Sequence, residues 1–252
     1  MQQSELIGIP PPSIKVAYKK DFQPSEAKNY AASTVSFHNM DAIDYALQIG
    51  NDKVLILNLA DDIYPGGCVL SGSGAQEESI FRRTNYHKTL HMESGFYPLL
   101  DGQAIYSPNV TVFKESEANN WAPLSHQLIN LIAGWGIKYP SKIYNKDKDR
   151  EELRDDDVIK LKERIEVVIQ TAHLYGYTTI VLGALGCGAW RNPIQHVAEI
   201  FKEILDRYDG VVKHYAFAIL TTDDDDHVFA ARMRGLSPTV EVFENVFKGV
   251  AN

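Results

Sequence analysis

Cysteine is scarce in this chain. Its 252 residues include two cysteines, Cys68 and Cys187, too few for the disulfide framework of a small secreted protein. The first residues, MQQSELIGIPPPSIK, have neither a basic start nor a long apolar core, so we expect no signal peptide. Both features favour a reducing compartment. We expect a cytoplasmic protein, with the nucleus as the alternative.

Positive charge and long hydrophobic runs are also lacking. The 25 Lys and Arg residues are outnumbered by 33 Asp and Glu residues, which gives a net charge of −8. This balance argues against a nucleic acid as the partner. The longest apolar runs, VLILNLA and YAFAIL, have the length of strands rather than of membrane-spanning helices. We therefore expect a soluble protein with no membrane partner, and a monomer.

The sequence does contain a regular alternation of apolar and amphipathic segments. Three runs that are almost wholly apolar are predicted to be buried strands: 53–60, 178–185 and 214–220. Apolar residues recur at helical spacing in two further segments: 155–174 and 193–207, the latter with Pro193 in its first turn. Such alternation implies crossover connections. It predicts one three-layer α/β/α domain over 1–252, with a central mixed sheet that is mostly parallel and an N-terminal arm, 1–13, laid over it.

Two glycine-rich loops each lie between a predicted strand and a predicted helix. The first contains PGGCVLSGSGA and comes after the strand 53–60, and the second contains LGCGAW and comes after the strand 178–185. Ligands of open α/β sheets bind beyond the carboxyl ends of the strands, where glycine lets backbone N–H groups approach an anion. A plain turn is the alternative for either loop. Neither has the Lys-Ser/Thr end of a P-loop, and the second does not fit G-x-G-x-x-G with an acidic partner.

The first loop runs directly into Gln76, Glu77 and Glu78. Ser73 and Gln76 have the spacing of a capping box, which predicts a helix that begins at Ser73 with Gln76 at its third position. Successive helical residues point about 100° apart, so the two carboxylates are not expected to face each other across a substrate as in an ordinary glycosidase. We expect one glutamate to reach the reacting atom and the other to orient the sugar or the loop. The alternative is that both acids only complement the helix dipole.

Several other side chains have a weaker claim to function. His87 and His91 have the spacing of two metal ligands on a helix, but no HExxH glutamate or third ligand accompanies them, so we expect no metal and no cofactor. The four aspartates at 223–226 are expected to be solvated. Cys187 is more typical of a small packing residue than of a nucleophile. The arginines at 82–83 are expected to lie at the surface, to brace the helix or to face a polymer.

Taken together, these segments resemble the microbial-type poly(ADP-ribose) glycohydrolases, a branch of the macrodomain superfamily. The signature of that family is three glycines, a spacer of about seven residues and then Gln-Glu-Glu. Here the triplet reads Gly66-Gly67-Cys68, and Gln76-Glu77-Glu78 comes after seven residues. Further similar blocks keep the family order: 105–113, 181–193 and 240–247. The resemblance covers roughly residues 40–250.

The resemblance implies an enzyme that cleaves ribose–ribose O-glycosidic bonds of poly(ADP-ribose) and releases ADP-ribose. It implies that Glu78 is the general acid and base and that Glu77 orients ribose hydroxyls. It also implies a set of residues that bind ADP-ribose: Asn58, Gly66, Gly67, Cys68, Gln76, Gly186, Cys187, Gly188, Ala189 and Trp190. The expected partners are the ADP-ribose polymer or ADP-ribosylated proteins.

Departures from the family pattern keep other functions open. Cys68 replaces a glycine, Asp61 replaces a small or amide residue, Trp190 replaces Phe, and 129–140 replaces a strand that ends in small residues and Pro-Asn. A hydrolase of mono-ADP-ribose is therefore one alternative. A macrodomain that binds ADP-ribose without cleaving it is another, although the presence of both glutamates argues against it.

Overall fold

The computed structural model describes residues 8–50, 53–221 and 238–249. Within them the strands are β1 (Ile14–Ala17), β2 (Thr34–His38), β3 (Val54–Leu59), β4 (Gln103–Lys114), β5 (Pro123–Gly134), β6 (Lys142–Asn145), β7 (Arg150–Leu153), β8 (Thr179–Leu182) and β9 (His214–Ala218). Seven of them form one sheet in the order β1-β4-β5-β3-β8-β9-β2, while β6 and β7 pair separately as a hairpin.

The central strands of the sheet run in one direction. β5, β3, β8, β9 and β2 pair in parallel, and β4 is antiparallel to both β1 and β5. Parallel strands connected by crossovers are covered on both faces, which explains why β3 is apolar along nearly its whole length. The predicted mixed, mostly parallel sheet is confirmed.

Helices cover both faces of the sheet. They are α1 (Ala42–Ile49), α2 (Gln76–Arg83), α3 (Asp155–Leu174), α4 (Ile194–Arg207) and α5 (Thr239–Lys248). Along β3, Leu55 and Leu57 pack into a core with α3, α4 and α5. Val54 and Ile56 point the other way, into a second core with α1 and α2. Because the side chains of β3 point alternately into two cores, the sheet lies between two layers of helices. The predicted three-layer fold class is confirmed.

The predicted segments match the elements closely. α3 has the predicted bounds, and α4 starts one residue after Pro193, which is the residue that precedes the helix rather than part of its first turn. The charged stretch 144–157 contains parts of the β6–β7 hairpin and the start of α3. No helix in the described ranges is both long and apolar enough to cross a membrane.

The described part of the N-terminal arm, residues 8–13, contacts the domain through hydrogen bonds. Asn85 donates to the Gly8 carbonyl at 2.8 Å, and Thr89 donates to the Pro11 carbonyl at 3.2 Å. The buried Ser13 hydroxyl lies 2.7 Å from that of Ser107 on β4. Residues 1–7 of the arm, like the aspartates at 223–226, lie outside the described residues.

Candidate active site

The two glycine loops start at the same edge of the sheet, as the sequence predicts. β3 and β8 are parallel neighbours, so the first loop (60–75) and the second loop (183–193) leave adjacent strand ends. The segment after β5 reaches the same place, because a Cβ on Gly136 would lie 2.5 Å from the Cα of Gly186. Backbone contact this close requires glycine. It fixes the second loop against the segment that comes after β5.

Helix α2 begins later than the capping box predicts, so the expected start at Ser73 is wrong. Gln76 is the first residue of the helix, and Ala75 precedes it without a side-chain cap. The Ser73 N–H donates instead to the Cys68 carbonyl inside the first loop, at 3.4 Å. Glu77 and Glu78 therefore occupy the second and third helical positions, where the backbone N–H groups are still free of intrahelical partners.

Gln76 is held by strand β3 rather than by the helix. Its Oε1 accepts from the Leu59 N–H at 2.7 Å, and its Nε2 donates to the Leu57 carbonyl at 2.9 Å. Both ends of the amide are thus bonded to the strand. The geometry therefore indicates that Gln76 supports the site by joining the start of α2 to β3.

Glu77 is buried and fully engaged by backbone and amide donors. It is 3% exposed, and its Oε2 accepts from the Asp61 N–H at 2.7 Å. Its Oε1 accepts from the Gly66 N–H at 3.1 Å and from Asn58 Nδ2 at 3.3 Å. Burial raises the pKa of Glu77 to about 8, against the opposing effect of these donors. A buried carboxyl with such a pKa carries a proton over much of the neutral range.

Glu78 has a simpler set of contacts. It is 6% exposed, and its Oε1 accepts from the Cys68 N–H at 3.0 Å. Its Oε2 accepts from no group in the part of the chain that the structure describes, and this oxygen is not fully buried. One oxygen of Glu78 is therefore fixed by the loop while the other remains available to a ligand.

The two carboxylates converge on Gly67. A Cβ at that position would lie 2.5 Å from Oε1 of Glu78 and 3.2 Å from Oε2 of Glu77. The divergence expected from helical spacing does not extend to the carboxylates, because both long side chains bend back to the same loop. What distinguishes them is hydrogen bonding: both oxygens of Glu77 are bonded, and only one of Glu78 is.

Cysteine at position 68 is compatible with the loop backbone. Gly66 and Gly67 have φ of +82° and +54°, a region that favours glycine, whereas Cys68 has φ of −98°. The Cys68 side chain is exposed. The third position of the glycine triplet therefore needs no glycine for its conformation, and the departure adds a side chain beside Glu78.

Asn58 lies beneath the carboxylates at the end of β3. It is completely buried, and its Nδ2 is the donor to Glu77. Its Oδ1 is buried without a partner among the described residues, and so is the hydroxyl of Tyr97. Asn58 thus touches the predicted site through Glu77, and its expected contact with a sugar stays a prediction. Tyr97 was missed by sequence reasoning, because nothing in its local pattern relates it to the loops.

The second loop leaves several N–H groups without a protein partner. Within the described residues, the donors at Gly186, Gly188, Ala189 and Trp190 bond to no protein acceptor, while that of Cys187 bonds to the Ala184 carbonyl at 3.0 Å. Such groups at the N-terminal end of α4 form a natural binding site for an anion. Gly188 and Ala189 are also exposed.

Asn192, another residue missed by sequence reasoning, fixes the second loop. Its Nδ2 donates to the carbonyls of Ile137 and Gly186 at 2.6 and 2.9 Å, and its Oδ1 accepts from the Ile137 N–H at 3.3 Å. Gly186 has φ of +75°, and a Cβ there would collide with the Asn192 amide at 2.8 Å. The buried amide therefore joins the loop to the segment after β5. The only sequence feature that could have pointed to Asn192 is its position directly before Pro193.

The arginine pair next to the glutamates braces the helix. Arg83 is fully buried, and its guanidinium pairs with Asp41 at 2.7 Å and Asp44 at 2.5 Å at the start of α1. Arg82 donates to the Val69 carbonyl at 3.1 Å. Of the roles expected for this pair, bracing is confirmed for Arg83.

The remaining candidates do not form a site. Among the described residues no group of three or more His, Cys, Asp or Glu side chains could hold a metal ion. Burial raises the pKa of the Cys187 thiol, which keeps it protonated and disfavours a nucleophile.

Comparisons with known proteins identify a matching family and matching folds. Residues 12–115 match the family model described as the microbial-type PARG catalytic domain. That segment includes Asn58, the first loop and both glutamates. The resemblance drawn from the glycine triplet and the Gln-Glu-Glu run is thereby confirmed. No curated protein sequence matches the chain.

Solved structures show the same fold over nearly the whole chain. Poly(ADP-ribose) glycohydrolase from Deinococcus radiodurans, solved in complex with ADP-ribose, is 21% identical, with a TM-score of 0.75 over 96% of each chain. The enzyme from Thermomonospora curvata, solved with the inhibitor ADP-HPD, is 25% identical, with a TM-score of 0.68 over 93% of this chain and 85% of that one.

Proposed function

From the family match over residues 12–115, we propose that this protein is a poly(ADP-ribose) glycohydrolase. It hydrolyses the ribose–ribose O-glycosidic bond of the polymer and releases ADP-ribose, with Glu78 as general acid and then general base. The observation that carries the proposal is the unequal bonding of the two glutamates. Glu77 has both oxygens bonded, whereas Glu78 is held through one oxygen and has the other available.

The second loop supports binding of the diphosphate. Unpaired N–H groups at Gly188 and Ala189, next to the start of α4, suit a phosphate oxygen. The half-buried Trp190 offers an aromatic face to the adjoining ribose or adenine. An acidic protein can hold an anion in this way, because backbone donors replace a basic patch.

Bond cleavage needs a proton on the leaving oxygen as positive charge develops at the anomeric carbon. The available Oε2 of Glu78 supplies that proton, and the resulting carboxylate then removes a proton from the attacking water. The Cys68 N–H bond to Oε1 keeps the side chain in place through both steps. One water molecule is consumed in the reaction, and Glu78 recovers the proton that it donated.

Glu77 prepares the site without transferring the proton. It accepts from Asn58, Asp61 and Gly66, so it would orient the ribose indirectly, through the first loop whose N–H groups it holds. Its pKa of about 8 means that it is largely neutral near pH 7. A neutral Glu77 removes one negative charge from a cleft that has to accept a dianion.

The presence of Cys68 favours a second candidate function, the hydrolytic removal of mono-ADP-ribose from a modified substrate. Its exposed side chain stands where the family has glycine, on the loop that bonds Glu78. A side chain there narrows the space beside the acid and would hinder a long polymer more than a single ADP-ribose unit.

The experiment that tests the function is incubation with purified poly(ADP-ribose) and, separately, with mono-ADP-ribosylated protein, with the products identified by mass spectrometry. We expect free ADP-ribose from the polymer. Release from the mono-ADP-ribosylated protein alone would favour the second function. Binding of ADP-ribose with no release from either substrate would contradict both.

A further inference from the structure

One lysine side chain contacts both glycine loops. Lys138 lies just beyond β5, in the segment 129–140 where the sequence departs from the family pattern. Its Nζ lies 2.7 Å from Oδ1 of Asp62 and 3.2 Å from Oδ2 of Asp61, both in the first loop. The same ammonium group lies 5.5 Å from the ring centroid of Trp190 in the second loop. A cation at that distance interacts favourably with an indole face.

The contact with the first loop leads directly to Glu77. Oδ1 of Asp61 accepts from the N–H groups of Ile63 and Tyr64 at 2.8 and 2.9 Å, which closes a turn. The N–H of Asp61 donates to Oε2 of Glu77 at 2.7 Å. Lys138 is therefore connected to the Glu77 carboxylate through Asp61. It also contacts the second loop directly, at Trp190.

The charges around the cleft make this lysine important for an anion. Asp61 and Asp62 bring negative charge to the site, and a diphosphate adds two more charges. Burial alone would lower the pKa of Lys138, but the hydrogen bonds with Asp62 and Asp61 outweigh it and raise the pKa, so the group stays charged. Its side chain is 34% exposed, which leaves room for a further partner.

We infer that Lys138 is a specificity-determining residue that binds the diphosphate of ADP-ribose, together with the second loop, by exchanging part of its contact with Asp62 for a phosphate oxygen. The inference rests on the proposed function and deepens it. It also gives a role to two places where the sequence differs from the family pattern, the segment 129–140 and Asp61. Lys138, in that segment, supplies positive charge to the site, and Asp61 and Asp62 hold its side chain in position.

The test is calorimetric titration of ADP-ribose into the whole protein at several salt concentrations. Lys138→Met keeps the apolar stem and removes the charge, and we expect an affinity about tenfold weaker with a shallower dependence on salt. Lys138→Arg should restore most of the affinity. The matched control is Lys142→Met, because Lys142 pairs with Glu151 on the hairpin and is exposed to a similar degree, 30%; its affinity should equal that of the parent.

Asp62→Asn separates binding of the ligand from a purely structural ion pair. If Lys138 binds the diphosphate, loss of the competing carboxylate should strengthen ADP-ribose binding by about threefold, and the gain should disappear in the Lys138→Met background. If the ion pair only holds the loops together, Asp62→Asn should weaken binding as Lys138→Met does, and that result would overturn the inference. Equal affinity of Lys138→Met and the parent would also overturn it. Failure of the parent itself to bind ADP-ribose would instead contradict the proposed function. Unchanged thermal unfolding midpoints confirm that each variant is folded.

Discussion

The two glycine loops look alike in sequence and use their backbones in opposite ways. In the first loop the N–H groups of Asp61, Gly66 and Cys68 donate to the protein's own carboxylates. In the second loop the N–H groups of Gly188 and Ala189 have no protein acceptor within the described residues. One loop therefore positions the acids, and the other is left to bind an anion.

The difference comes from the residues at the C-terminal end of each loop. The first loop precedes two glutamates at the start of α2, whose side chains turn back and take up its donors. The second loop ends in Asn192 and Pro193, and the asparagine bonds carbonyls and the Ile137 N–H instead of the loop's outer N–H groups. A glycine-rich loop thus becomes an anion site only when no neighbouring acid occupies it.

The largest expected effect concerns Glu78. Glu78→Gln keeps the size of the side chain and removes the transferable proton, so we expect single-turnover release of ADP-ribose from polymer to fall by about 10²–10⁴-fold. Glu77→Gln should be slower than the parent through poorer orientation, yet clearly faster than Glu78→Gln. Near-normal hydrolysis by Glu78→Gln would show that another group is the acid.

The packing of Gly67 against the carboxylates gives a sharper test of the first loop. Gly67→Ala places a Cβ 2.5 Å from Oε1 of Glu78, so we expect turnover to fall by about 10²-fold as the acid is displaced. Gly72→Ala is the matched control, because Gly72 also has positive φ, +89°, but nothing lies within 4 Å of its added Cβ. Both variants should lose stability through backbone strain in chemical denaturation, Gly67→Ala more because of its additional contact, and only Gly67→Ala should lose turnover. Equal turnover in the two would mean that Glu78 does not depend on the loop.

In the second loop the expected effect is on binding. Asn192→Ala removes the buried bonds to Ile137 and Gly186, so the loop loosens, and we expect KM for polymer to rise by about tenfold while the single-turnover rate at saturation changes little. Asn145→Ala, which removes a bond to Glu152 in the hairpin, is the control for general loss of stability. A fall in the saturated rate with unchanged KM would contradict the assignment of this loop to binding.

The smallest effect is a pH dependence of stability that comes from Glu77. Its folded pKa of about 8 lies above its ordinary value of 4.5, so the folded protein holds a proton that the unfolded chain has lost. This contribution to stability is present at low pH and is lost as pH rises through about 8. We expect the free energy of unfolding to fall by about 1 kcal/mol between pH 7 and 8, and Glu77→Gln to flatten that slope.

Urea denaturation at fixed temperature measures this slope. The histidines with shifted pKa values titrate at or below about pH 6.5, outside the chosen window. An equal slope in the parent and in Glu77→Gln would mean that Glu77 is ionised throughout.

Much of the fold could be predicted from sequence, because its signals are local. The apolar runs gave β3, β8 and β9, and the helical periodicity gave α3 to the residue. The capping box failed because Gln76 has a better partner that is distant in sequence, the carboxyl end of β3 at Leu57 and Leu59. Local helix propensity does not include a contact that forms only after the strand and the helix have packed together.

The site was predictable in its residue types and less so in its contacts. The glutamates and both loops were identified, but the contacts of Lys138 with Asp61 and Asp62 join segments that are more than seventy residues apart. Asn192 was likewise missed, because its amide bonds to Ile137, a residue that is distant in sequence. Such pairings depend on which strand ends are neighbours in the sheet, which the sequence pattern alone does not specify.

The division of work between the loops is tested most directly by calorimetric titration of ADP-ribose into Glu78→Gln and Asn192→Ala beside the parent protein. We predict that Glu78→Gln binds ADP-ribose with the affinity of the parent and that Asn192→Ala binds about tenfold more weakly. Weaker binding by Glu78→Gln together with unchanged binding by Asn192→Ala would contradict the account, because it would assign binding to the first loop.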